Sequence, residues 1–132
     1  MRVIDSSSLA KLINREENWE RVEIVLREGC VSLDLAMIET ENSLWVRVRR
    51  GLLEPRRAQT ILHEFVSSRP FELRGQEKFY ESAFRIAITS GLTVYDALFL
   101  ALSKEENATL VTSDHDQSEA ASKLGLQVLY IP

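Results

Sequence analysis

Short apolar runs alternate with stretches of helical spacing along the whole chain, and this alternation limits the fold more than any other feature. Val3-Ile4, Cys30-Val31-Ser32-Leu33, Thr109-Leu110-Val111-Thr112 and Gln127-Val128-Leu129-Tyr130 read as strands. Phe71-Glu72-Leu73, which follows the helix-breaking Arg69-Pro70, reads as an edge strand. Strands separated by helices predict a mainly parallel sheet with helices on both faces, a three-layer α/β/α fold.

The intervening segments predict the helices. Leu9 to Ile13 opens the first, Asn14 to Glu17 is a polar break, and Trp19 to Glu28 makes a second that Gly29 stops. A third runs from Asp34 or Leu35 to about Arg50, with Ile38, Trp45, Val48 and Leu52 as its expected core stripe. Glu54-Pro55 starts a fourth, with Ala58, Ile61, Leu62, Phe65 and Val66 as its buried face. Gln76 to Ser90 is helical with Phe79, Ala83, Ile86 and Ala87 inward. Thr93 to Glu106 is apolar almost all round and should be central, and Gln117 to Leu124 forms the last helix.

A length of 132 residues at 45% hydrophobic content predicts one domain, residues 1–132, with a real core. No apolar run approaches a membrane span, and the N-terminus lacks the pattern of a signal peptide. The lone cysteine, Cys30, excludes an internal disulfide and is expected to be buried. These features predict a cytoplasmic protein without a membrane partner. The net charge of −4 argues against a general nucleic-acid coat protein and leaves room for a local basic patch.

Carboxylates recur where strands end or helices begin. Asp5 ends the first strand and is followed by Ser6, Ser7 and Ser8. Asp114 ends the Thr109–Thr112 strand, and as parallel neighbours the two strands would bring both acids to one rim. Asp114 also suits the N-cap of the helix after it. Asp96 lies in the first turn of the most apolar helix, where burial is costly, and Thr93 to Asp96 also fits a capping box. Glu39 and Glu41 both lie early in the third helix, and periodicity does not choose between them. Four carboxylates sharing a pocket repel one another, which is tolerable only with protons or cations, and oxygen donors suit Mg²⁺ or Mn²⁺. His63 and His115 are isolated and expected at the surface, so zinc is not indicated. No Gly-rich phosphate loop and no Ser-His-Asp order is present.

In this arrangement the chain resembles a PIN-domain protein, most closely the VapC toxins of toxin–antitoxin pairs. The resemblance rests on Val3-Ile4-Asp5-Ser6-Ser7, on Leu35-Ala36-Met37-Ile38-Glu39 running into Asn42 and Leu44-Trp45, on Thr93-Val94-Tyr95-Asp96-Ala97 with Ala101-Leu102, and on Leu110-Val111-Thr112-Ser113-Asp114. It implies a metal-dependent endoribonuclease, with Asp5, Glu39, Asp96 and Asp114 as catalytic and metal-holding residues and Mg²⁺ or Mn²⁺ as the ion. Motif alignment favours Glu39 over Glu41. The resemblance also implies supporting roles for Ser7, Thr112 and Asp116, an RNA substrate, a cognate antitoxin and a homodimer. The chain departs from the family where an aromatic usually follows this last acidic stretch: Gln117 and Ser118 stand after Asp116.

Arg47, Arg49, Arg50, Arg56 and Arg57 cluster around Gly51. Arg49 and Arg50 are candidates for RNA phosphate contact, and the alternative is a solvated helix end whose basic residues complement the helix dipole. Two other functions fit an Asp after a first strand. A haloacid-type phosphatase needs a second acid two residues on, where Ser7 stands, and a receiver domain needs an acidic pair before it. A PIN-like module without turnover is the other alternative.

Overall fold

The computed structural model describes residues 1–132. Strands β1 (Arg2–Ile4), β2 (Cys30–Leu33), β3 (Glu72–Arg74), β4 (Leu110–Thr112) and β5 (Val128–Tyr130) form one sheet. The strand order is β3-β2-β1-β4-β5, and every pairing is parallel. The helices are α1 (Ser6–Ile13), α2 (Trp19–Arg27), α3 (Asp34–Arg49), α4 (Pro55–Ser67), α5 (Tyr80–Ser90), α6 (Val94–Glu106) and α7 (His115–Lys123). A 3₁₀ turn, Glu77–Phe79, leads into α5.

Val3, Ile4, Val31, Leu33, Leu110 and Val111 are buried, as expected of parallel strands covered on both faces. Right-handed crossovers place α1 to α4 on one face and α5 to α7 on the other. Consistent with this, α1 packs on α2 and α3, and α5 packs on α6. β3 and β5 are the edge strands, and on β3 Arg74 carries ion pairs to Glu72 and Glu106 that blunt that edge.

The chain steps from β1 to β2 to β3 in one direction, then returns past β1 to β4 and β5. The reversal makes the crevice between the carboxyl ends of β1 and β4 a topological switch point, where open α/β sheets bind ligands. Val3 is level with Leu110 and Ile4 with Val111, so Asp5 emerges beside Thr112.

Two expected core faces are corrected. On α3, Ile38, Trp45 and, just past the helix end, Leu52 are exposed at 60%, 54% and 66%, and Val48 is only half-buried. Its inward face is Ala36, Thr40 and Leu44 instead. Ala36 and Thr40 are small and Leu44 follows them at i+8, and α3 packs on α1, so packing against the neighbouring helix, and not side-chain hydropathy, chose the face. On α4 only Ala58 is buried, Ile61, Leu62 and Phe65 are half-buried, and Val66 is exposed. The last helix begins at His115, two positions before the predicted start, because Asp114 caps it.

The central helix is as expected: Ala97 through Ser103 are all buried, although Val94 and Tyr95 in its first turn are exposed. Cys30 is buried, and that burial pushes its thiol up to about 11. No single helix is long and apolar enough to cross a membrane.

Candidate active site

Asp5 leaves β1 with extended backbone and serves as the N-cap of α1. Its Oδ1 accepts the Ser8 amide at 3.0 Å and the Ser7 hydroxyl at 2.8 Å. Its Oδ2 accepts the Thr112 hydroxyl at 2.5 Å, across from β4. The carboxylate is only 2% exposed. Burial pushes it up to about 6, and nearby Asp96 adds to that, while the bonds from Thr112, Ser8 and Ser7 pull the other way.

Asp114 ends β4 and caps α7, its Oδ1 accepting the Gln117 amide at 2.9 Å. Its own amide donates to Thr112 Oγ1 at 3.0 Å. Capping and a place on the rim are therefore compatible here. Asp96 sits in the first turn of α6, where Thr93 Oγ1 accepts its amide at 3.2 Å. This is one of the two bonds of the expected capping box; the reciprocal bond from the Thr93 amide to the Asp96 carboxylate is not formed. Burial raises the Asp96 carboxyl above its ordinary range, and the charges of Asp114 and Glu39 raise it further, against the pull of the Thr93 hydroxyl.

Glu39 is half-buried on α3 and accepts the Ser6 hydroxyl at 2.5 Å, which ties the α3 carboxylate to the first residue of α1. Glu41 is exposed, on a different side of the helix. Asp116 also faces away: its side chain is 91% exposed and lies 3.7 Å from His115 Nδ1. Both histidines are at the surface. Arg49 and Arg50 are exposed at the end of α3. Ten residues separate Arg49 from Glu39, which is about 15 Å along the helix axis.

Gln117 was not among the residues singled out for a site. It is 1% exposed, and its side chain bonds both Thr112 and the Asp96 carbonyl. The only signal in the sequence was a polar residue where an aromatic is usual.

Asp5, Glu39, Asp96 and Asp114 thus come from four elements to one rim; burial is the main cause of the raised Asp5 and Asp96 carboxyls, and Asp96 lies near enough to the other three acids for their charges to interact. Every charged donor there is a carboxylate oxygen, so the set fits a hard divalent cation and not zinc. No three of the chain's acidic, histidine or cysteine side chains converge closely enough to cage an ion. The rim therefore suits an ion held by one or two carboxylates that keeps much of its water. Glu39, Asp96 and Asp114 are half-buried, so the rim opens to solvent on their side.

A parallel sheet with acids converging at its switch point defines a class of α/β protein with a carboxylate-lined site. The PIN domain family model matches residues 2–123, and the chain belongs to that family. It is similar to ribonuclease VapC3 of Pyrobaculum aerophilum, at 33% identity over 120 residues, covering 89% of this chain and 92% of that one. Exonuclease VapC9 of the same organism is 29% identical over 114 residues, covering 86% and 80%. The crystal structure of PAE2754 from Pyrobaculum aerophilum aligns with a TM-score of 0.74 at 26% identity, covering 96% of this chain and 82% of that one.

Proposed function

We propose that this chain, residues 1–132, is a single nuclease domain that cuts RNA with the help of a divalent cation, as the toxin of a VapBC-type pair. The observation that carries the reading is the placement of Asp5, Glu39, Asp96 and Asp114 at one switch-point rim, set by the β1–β4 register, the Ser6 and Thr112 bonds and the first turn of α6. Asp5 and Asp96 hold the ion. Asp114 and Glu39 contact it or orient water in its shell. A bound Mg²⁺ or Mn²⁺ supplies positive charge for the scissile phosphate and makes a water in its shell more acidic.

The chain's own groups do the positioning. Ser7, Thr112 and the Ser8 amide hold the Asp5 carboxylate at a fixed orientation. Ser6 holds Glu39. An open rim accepts a long strand, and Arg49 and Arg50 are within reach of a phosphate a few nucleotides from the cut. The cut is internal: water attacks phosphorus, and the sugar oxygen leaves with a proton.

The partners are a cognate antitoxin, which would mask the acids, and a second copy of the chain. The test is cleavage of a circular RNA in Mg²⁺ by wild type and by Asp5→Asn. A nick in the circle by wild type alone is expected. A circle left intact while linear RNA is trimmed would replace the internal cut by an exonuclease, and no cleavage of either would leave a binding module.

A further inference from the structure

Gln117 is a fully buried amide that the proposed chemistry does not use directly, yet it bonds the segments that carry Asp96 and Asp114 and reaches Asp5 through Thr112. Its Nε2 donates to the Asp96 carbonyl at 3.0 Å. Its Oε1 accepts the Thr112 hydroxyl at 3.0 Å, and Thr112 is the residue that donates to Asp5. Its backbone amide donates to Asp114 Oδ1 at 2.9 Å. The orientation of the amide is fixed by chemistry: a carbonyl has no hydrogen to give, so the Asp96 side of Gln117 must be the NH₂ end. Thr112 has one hydroxyl hydrogen for two acceptors, Asp5 Oδ2 and Gln117 Oε1, so the two are coupled through a single proton.

An apolar side chain of the same volume would fill this space without burying an amide. What the amide adds is a fixed spacing between α6, which carries Asp96, and β4, whose Thr112 orients Asp5. We infer that Gln117 is a positioning residue that sets the separation and orientation of Asp5 and Asp96. The inference rests on the reading of those two carboxylates as the ion-holding pair. It predicts that the side chain matters for ion affinity and for turnover, not for RNA binding. Outer-shell partners of ligating groups commonly change affinity or activity about 10- to 100-fold when removed.

The test uses RNA-free protein and Mn²⁺ alone, titrated by calorimetry, for wild type, Asp5→Asn, Thr112→Val, Gln117→Met and Gln117→Asn. Gln117→Met keeps the volume and loses both bonds. Gln117→Asn stays polar and is one methylene too short to reach both partners, so it serves if the methionine variant does not fold. The expected result is Mn²⁺ affinity at least about tenfold weaker in either variant, with kcat reduced and KM for RNA unchanged. The Thr112→Val and Gln117→Met losses should not add in the double variant, because both break the same link. Wild-type Mn²⁺ affinity and kcat in a folded Gln117 variant, with Asp5→Asn defective, would overturn the inference and leave the nuclease reading intact. Absence of Mn²⁺ uptake by wild type would overturn the nuclease reading, and this inference with it.

Discussion

Asp5 illustrates how one residue can be both structural and strained. It caps α1 and accepts two hydroxyls, yet burial holds its carboxyl at about 6. In the unfolded chain the same group sheds its proton near pH 4. Between those values the folded state binds the extra proton, so stability falls as pH rises through the window, by up to about 3 kcal/mol. Asp5→Asn keeps an acceptor for the Ser8 amide and removes the buried charge. In urea unfolding without metal it should be more stable than wild type at pH 7.5, and the gap should close toward pH 4. A less stable variant at pH 7.5 would show that charge burial is not the dominant cost. At the same scale, Glu39→Gln should lower RNA cleavage about 10- to 100-fold, with Glu41→Gln within about twofold of wild type. Equal losses would reject the distinction drawn from the Ser6 bond. Local chemistry made Asp5, Asp96 and Asp114 legible in the sequence, because a carboxylate at a strand end or helix start stands out. Periodicity did not separate Glu39 from Glu41 and motif alignment favoured Glu39; what the sequence does not show is the helix rotation, fixed by tertiary packing, that sets Glu39 against Ser6.

Among the elements, α3 departs furthest from what the sequence predicts. Ile38 and Trp45 point to solvent, and Ala36, Thr40 and Leu44 are buried in their place. A hydropathy pattern reports which side chains prefer burial; it does not report how closely a neighbouring helix approaches. Strands and most helix ends were legible because they depend on local rules: the run lengths of β1, β2 and β4, Pro55 at a first turn, and Gly29 and Gly91 with positive φ at helix ends. Leu44→Ala should cost about 2–5 kcal/mol, whereas Trp45→Ser should stay within about 0.5 kcal/mol. Chemical denaturation of the two variants checks this, and a large loss for Trp45→Ser would restore the rejected core stripe. At the far end of the same helix, exposed Arg49 and Arg50 lie about 15 Å along the axis from Glu39. If both meet RNA phosphates, Arg49→Ala with Arg50→Ala should flatten the salt dependence of single-strand binding by a slope of about 1.4. An unchanged slope would assign them to helix-end solvation.

On the scale of the whole molecule, the charge and the apolar surface point to different partners. An overall charge of −4 with an acidic rim repels RNA, so a strand bound as proposed would be held by the proposed ion and by local basic side chains. Among the exposed apolar residues, two separate stripes stand out: Ile38 and Trp45 on α3, and Tyr80, Phe84 and Ile88 at i, i+4 and i+8 on α5. By the crossover argument these helices lie on opposite faces of the sheet. Two stripes on opposite faces suit two associations, and the proposed partners are two in number: a second copy and an antitoxin. One patch cannot serve both at once, since covering it for the dimer would block it for the antitoxin. Phe84→Glu with Ile88→Glu, and separately Ile38→Glu with Trp45→Glu, should therefore each abolish one association and spare the other. Sedimentation equilibrium of the isolated chain reads the first association, and co-purification with the co-expressed antitoxin reads the second. Loss of both in one variant would mean that the antitoxin binds only the dimer through a shared face, and retention of both in both variants would remove the apolar stripes from the assembly.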